Sequence, residues 1–186
     1  MFTTQKAFYI TYIFLSIGLA FRIIGVSTNH WATGHMSEMG VYIEEWAGLF
    51  KACVHIPTPS VIRRDPVTTC SDLDSTQGDY VLGCQILACT ATVWLALCLS
   101  FVLFSHWLTA VKQTPGKAVT VVTCAAVLVN VSDVTAIAAG IWYLSDRPGF
   151  ETMSWSAVLY FCSDVFNFST VGLMFYLRRC LRQLHL

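Results

Sequence analysis

Four long apolar stretches divide the chain. They run from about Phe8 to Val26, Tyr80 to Phe104, Ala118 to Tyr143 and Met153 to Leu177. Each is close to or above the roughly 20 apolar residues that a spanning helix needs. Polar positions gather between them, in a long segment (27–79), two short ones (105–117 and 144–152) and a tail (178–186). The pattern predicts one membrane domain over residues 1–186, with spans at 8–26, 80–104, 118–143 and 153–177. The first stretch is longer than the ~7–15-residue core of a signal peptide and no small-x-small cleavage site follows it, so it is read as a retained helix.

Composition agrees with this reading. Of 186 residues, 55% are apolar and 12% charged, where a soluble domain carries about a quarter charged residues. Mean hydropathy is +0.61. Net charge is zero, so nothing points to a nucleic-acid partner. Lys6, Lys112, Lys117, Arg178, Arg179 and Arg182 fall at the two ends and in the short 105–117 loop, with no Asp or Glu beside them. Basic residues favour the cytoplasm, which predicts both termini inside and 27–79 and 144–152 outside. Lys51, Arg63, Arg64 and Arg147 weigh the other way. The first outer loop then holds Glu38, Glu44, Glu45, Asp65, Asp72, Asp74 and Asp79, and the second holds Asp146 and Glu151. Against Lys51, Arg63 and Arg64 the first loop is net −4. This is either an ordinary solvated surface or one that attracts cations.

The segment 27–79 is too long for a plain connector between helices and needs structure of its own. Gly40–Ala52, with Val41, Tyr42, Ile43, Trp46, Leu49 and Phe50, has strand composition. His55–Pro66, with Pro57, Pro59 and Pro66, reads as a turn or extended excursion. Val67–Cys70 reads as a returning strand. Cys53 and Cys70 are the only cysteines in this loop, and an outer loop is oxidised. They are expected to be bridged, the alternative being two free thiols. Cys89, Cys98, Cys124 and Cys162 lie within spans as small apolar residues. The state of Cys84 is open, and Cys180 is a candidate for palmitoylation.

Polar residues within spans default to a functional hypothesis. The third span has Asn130 and Asp133, the fourth Asp164 and Asn167, each pair three apart and on one helix face. Counted from the outer ends, both Asp lie roughly 15–17 Å deep, so Asp133 is expected level with Asp164 and Asn130 level with Asn167. Ser132, Ala136 and Gly140, four apart, permit close helix contact beside Asp133. The two readings are a polar clamp and a cation or proton site. Two carboxylates in one dry site do not easily both ionise. If they are only a clamp, changing both to Asn should preserve folding. Arg22 either reaches Asp133 as a counter-charge or snorkels to the surface. No catalytic constellation, metal-ligand spacing or phosphate loop stands out, which predicts a non-enzyme with no cofactor and no metal.

Trp31, then Gly48-Leu49-Phe50, then Cys53 and Cys70 resemble a known signature. Claudins and their relatives carry a Trp soon after span one, then Gly-Leu-Trp, then two cysteines, in a four-span layout with a long first and a short second outer loop. The chain is similar to this superfamily, which includes peripheral myelin protein relatives, epithelial membrane proteins and calcium-channel gamma subunits. Phe50 stands where Trp is usual, and the interval between the cysteines is longer. No Arg occurs where the loop enters span two (Val81-Leu82-Gly83-Cys84-Gln85), and the tail lacks a Tyr-Val ending. These departures place the chain as a divergent member of the broader group. The resemblance implies an all-α membrane four-helix bundle topped by a small antiparallel β-sheet, with the cysteines bridging neighbouring strands and Phe50 near the bilayer surface. It also implies an adhesion or junction protein at the plasma membrane. Such a protein associates with itself or other four-span proteins, laterally and across to the next cell, with a cation preference if the paracellular path is involved. The alternative is an auxiliary subunit of a channel or receptor.

Overall fold

The computed structural model describes residues 2–38, 41–56, 67–73, 79–145 and 152–183. Four helices form an antiparallel bundle: α1 (Phe2–Ser27), α2 (Asp79–Ala110), α3 (Pro115–Ser145) and α4 (Trp155–Gln183). All four are long and apolar enough to cross a membrane. Most run past the apolar stretch that predicts them. At 1.5 Å per residue α2 is about 48 Å long, which exceeds the ~30 Å hydrocarbon layer and reaches through the headgroup zone. At the end of α4 the flanking Arg178, Arg179, Arg182 and Gln183 are good helix formers, so that helix continues where the apolar run stops.

Between α2 and α3 the chain turns tightly. Val111 and Lys112 donate to the Trp107 carbonyl, and Thr114 donates to that of Leu108, which satisfies the last carbonyls of α2. Gln113 takes the left-handed conformation at φ 49°. Pro115 then opens α3 at the one helical position where its missing N–H costs nothing.

The opposite end of the bundle carries a five-stranded sheet. Its strands are β1 (Ala32–Glu38), β2 (Val41–Ala47), β3 (Lys51–Ile56), β4 (Val67–Asp72) and β5 (Thr152–Met153), in the order β4-β3-β2-β1-β5. All neighbours are antiparallel. The fold is thus the expected membrane four-helix bundle with a small antiparallel sheet. Three details differ from expectation. β1 was not foreseen, because Ala-Thr-Gly-His-Met-Ser-Glu lacks strand composition. It forms because β2 offers it a complete ladder from Ala32↔Ala47 to Glu38↔Val41. β3 runs on through His55 to Ile56, since β4 pairs with it from Lys51↔Asp72 to Ile56↔Val67. β5, from the short second loop, adds two residues to the β1 edge. Pro57, Pro59, Arg63, Arg64, Asp65, Pro66, Asp74, Asp146, Arg147 and Glu151 lie outside the described residues.

Small and polar side chains share the bundle interior with Phe8, Leu15, Leu95 and Leu177, while many other large apolar side chains face outward. Ala88, Ala91, Leu95 and Cys98 of α2 are buried with Ala125, Val129, Ser132, Ala136 and Ala139 of α3, and small residues at such a seam let helices approach closely. Gly140 lies under the Phe161 ring of α4. Val93, Val134 and Val165 are 58%, 69% and 65% exposed. An outer surface this apolar suits helices solvated by lipid, and the protein reads as a multi-pass membrane protein.

Gly48, between β2 and β3, sits where two backbones meet. A Cβ added there would collide with the Asn29 Cα and the Thr28 carbonyl. Gly48→Ala is expected to destabilise by about 1–3 kcal/mol, the usual cost of overpacking. At Gly172 an added Cβ meets nothing within 4 Å, so Gly172→Ala should be neutral or gain up to about 1 kcal/mol in its helix. Thermal unfolding of both variants in detergent checks the contrast, and equal midpoints would refute it.

Candidate functional site

Residues singled out by sequence form two groups, one at the sheet end of the bundle and one inside it. The first fastens the sheet to the helices. Trp31 is completely buried. Its indole N–H donates to the Gly25 carbonyl at 2.5 Å, and its ring packs 5.3 Å from Tyr143 and 4.7 Å from Tyr160. Its backbone N–H donates to Ala47, and its carbonyl accepts from Ser154. One residue therefore joins α1, the β2 end, α3 and the start of α4. Leu49 is also fully buried, while Phe50 is 38% exposed. The Tyr143 hydroxyl donates to the Gly48 carbonyl at 2.5 Å. Gln85 of α2 donates to the carbonyls of Leu49 (2.8 Å) and Leu73 (3.3 Å).

Cys53 and Cys70 are direct cross-strand partners and are bridged. Cys53 is buried, and its sulfur accepts from the Asn29 amide at 3.3 Å. All of β4 is exposed, and β4 is one edge of the sheet. The bridge therefore ties an otherwise solvated edge strand to the buried part of the platform.

The second group lies inside the bundle. Arg22 of α1 is fully buried. Its Nη2 donates to Asp133 Oδ1 at 3.0 Å and to Asp164 Oδ1 in a short contact. Its Nε donates to Ser163 Oγ at 3.0 Å and its Nη1 to Ser132 Oγ at 2.5 Å. Ser132 in turn donates to the Ala91 carbonyl of α2 at 2.8 Å. Asn167 donates to Asp133 Oδ1 at 2.8 Å, and Gly18 leaves the space its side chain fills. The structure thus brings Arg22, Asp133, Asp164 and Asn167 together and links all four helices. Between the two fates open to Arg22, counter-charge and snorkelling, it takes the first.

Asn130 does not join them. It is exposed and donates to the Ala126 carbonyl of its own helix at 2.7 Å. The face expected to be shared with Asp133 is not shared, because three residues advance a helix by about 300°, which leaves Asn130 about 60° away. Asp133 faces the bundle interior, and Asn130 is carried to the outer surface. Cys180 is unbridged and half-buried near the end of α4. Gln85, Tyr143 and Ser163 escaped the sequence reading. Gln85 alone had a signal, as an uncharged amide at the loop's entry into span two. Among the described residues, no group of three His, Cys, Asp or Glu side chains is placed to hold a metal ion.

Fold and site define a class: a four-span membrane bundle, locked inside by one charged cluster and capped at one end by a disulfide-tied sheet. No family model matches the chain, and no curated protein matches it.

The geometry changes what substitutions of the clamp should do. Removing one partner of a buried ion pair costs about 3–5 kcal/mol, because the remaining charge is uncompensated. Arg22→Met should cost that much. Asp133→Asn with Asp164→Asn should also destabilise, since it strands the guanidinium, contrary to the expectation from the Asp pair alone. Arg22→Met combined with both Asn changes should regain much of the loss. Thermal unfolding across this cycle decides it, and a triple variant no better than Arg22→Met alone would show that the charges do not couple.

For the bridge, Cys70→Ser should cost roughly 3 kcal/mol, given the 17-residue separation. Peptide mapping without reductant should recover the Cys53 and Cys70 peptides as one linked species. Recovery of both as free thiols would contradict the pairing.

Proposed function

We propose that this chain is a claudin-like surface protein of the plasma membrane, with both termini cytoplasmic, and that it acts in cell adhesion or at junctions through its sheet. The observation that carries the reading is a rigid platform with a bare edge. Trp31, Tyr143 and Gln85 hold the sheet on the bundle, while every residue of β4 is exposed. A platform held this firmly loses little freedom when another surface docks on it, which favours binding. The order Trp31, Gly48-Leu49-Phe50, Cys53, Cys70 supports the same reading. Partners of this kind are further copies or other four-span proteins, beside it in the membrane and across on the next cell. The net −4 charge of the first loop favours cations along any path that the sheet lines.

The competing reading is an auxiliary subunit of a channel or receptor. Polar Asp/Asn faces on spans three and four, and a tail without the Tyr-Val ending, favour it. Asp133, Asp164 and Asn167 are instead engaged by the chain's own Arg22 and by each other. That weighs toward the sheet as the contact surface.

Expression in cells that lack junction proteins tests the proposal. Enrichment at cell–cell contacts and a cation-favouring rise in conductance are expected, both lost with Cys53→Ser. Unaltered contacts and conductance would count against it. A stoichiometric multi-span partner recovered in mild detergent would favour the subunit reading.

A further inference from the structure

The end of the bundle away from the sheet has a different chemistry. Lys6, Lys112, Lys117, Arg178, Arg179 and Arg182 belong to it, and the sequence places no Asp or Glu at positions 1–37, 80–132 or 165–186. On its surface α3 and α4 enclose a groove of about 250 Å³. Val122 and Val127 of α3 and Met174 and Phe175 of α4 form its walls, Asn130 lies toward the membrane centre, and Arg178 lies toward the end of α4. Between Val122 and Asn130 the helix rises about 12 Å. Val127 and Phe175 are each 58% exposed, so the groove opens sideways to lipid rather than into the bundle.

Arg178 is the unexplained residue. It is half-buried, and its Nε is shut from solvent without a hydrogen-bond partner. A buried guanidinium N–H ordinarily has an acceptor, and an anion meets that need best. Arg22 shows how this chain meets that requirement elsewhere, with two carboxylates. No Asp or Glu side chain stands at positions 80–132 or 165–186, which favours an anion from outside the chain. At the edge of a bilayer the abundant anion is a lipid phosphate, and a guanidinium matches phosphate with paired donors. The apolar groove that leads from Arg178 toward the membrane centre fits the acyl chain attached to such a phosphate. Arg179 and Arg182, both exposed on the same helix end, add attraction for an anionic headgroup.

The geometry points to a phospholipid site between α3 and α4, with the phosphate of an anionic lipid on Arg178 and an acyl chain along Val122, Val127, Met174 and Phe175. Neither the sheet nor the adhesion reading enters this argument. The site holds the terminal end of the bundle to one leaflet and makes retention of lipid selective by headgroup charge.

Native mass spectrometry of the full chain in detergent tests it, with phosphatidylglycerol and phosphatidylcholine of the same acyl chains as probes. The unaltered protein should retain phosphatidylglycerol in preference. Arg178→Gln should lower that preference by about fivefold, the worth of one basic residue at a lipid surface. Arg179→Gln removes the same charge from an exposed neighbour and should change it much less. Val127→Trp fills the groove from the lipid side without touching the core, and should lose the retained lipid while Arg178 is intact. Equal effects of Arg178→Gln and Arg179→Gln would reduce the site to diffuse attraction and overturn the proposal. So would full retention in Val127→Trp, or equal retention of the two lipids. Displacement of the lipid by excess inorganic phosphate would mark a free-anion site and likewise overturn it. If Arg178→Gln fails to fold, the Val127→Trp and lipid comparisons still decide.

Discussion

One buried guanidinium sets the terms for the rest of this molecule. A lone charge in a bilayer-embedded bundle is costly, and it persists only when paired and hydrogen-bonded. Arg22 meets that condition in only one arrangement of the helices. Its three nitrogens use Ser163, Ser132, Asp133 and Asp164, which lie on two different helices. Sliding α3 or α4 by one residue would move a donor or acceptor by about 1.5 Å along the axis and rotate it by about 100°. Apolar packing alone tolerates such slips, because lipid is as apolar as the side chains and there is little hydrophobic force between helices. The polar cluster does not tolerate them. It therefore fixes the register of α1 against α3 and α4, and the Ser132 bond to Ala91 extends that register to α2.

Register inside the bundle matters for the sheet, because the sheet is fastened to helix ends at fixed heights. Trp31 follows Arg22 on the same segment of chain, and its indole returns to the Gly25 carbonyl of α1. Tyr143 must reach Gly48 from α3, Tyr160 must meet the Trp31 ring from α4, and Gln85 must reach Leu49 from α2. A bundle out of register would miss these contacts together. The cluster and the platform thus behave as one construction. The disulfide then extends order outward to β4, which has no burial of its own to hold it.

Much of this was legible in the residues. Four apolar runs gave the bundle, and two cysteines in one long loop gave the bridge. Asp133 and Asp164 at similar depth gave the polar rung. What escaped depended on partners distant in the chain. β1 has no strand composition, and only its ladder with β2 makes it a strand. Ser163 looks like any small residue of a membrane helix until Arg22 arrives from 141 residues away. Asn130 was misassigned because spacing by three leaves two residues near one another without giving them the same face. The Ser132 and Asp133 neighbours point inward, and that leaves Asn130 turned toward the groove.

The two ends of the bundle then divide the polar chemistry between them. The sheet end carries the acidic loop, and the terminal end carries arginines and lysines without a carboxylate. Between them Arg22, Asp133 and Asp164 are buried against one another. The outward faces of the helices are largely apolar, with side chains such as Val134 and Val165, which lipid solvates equally well. Lateral contacts through such side chains are weak and exchangeable. On the proposed readings, specific recognition lies at the two ends, in the sheet and at headgroup charge. A bundle that is rigid inside and bland along its sides is suited to holding those two surfaces a fixed distance apart across the bilayer.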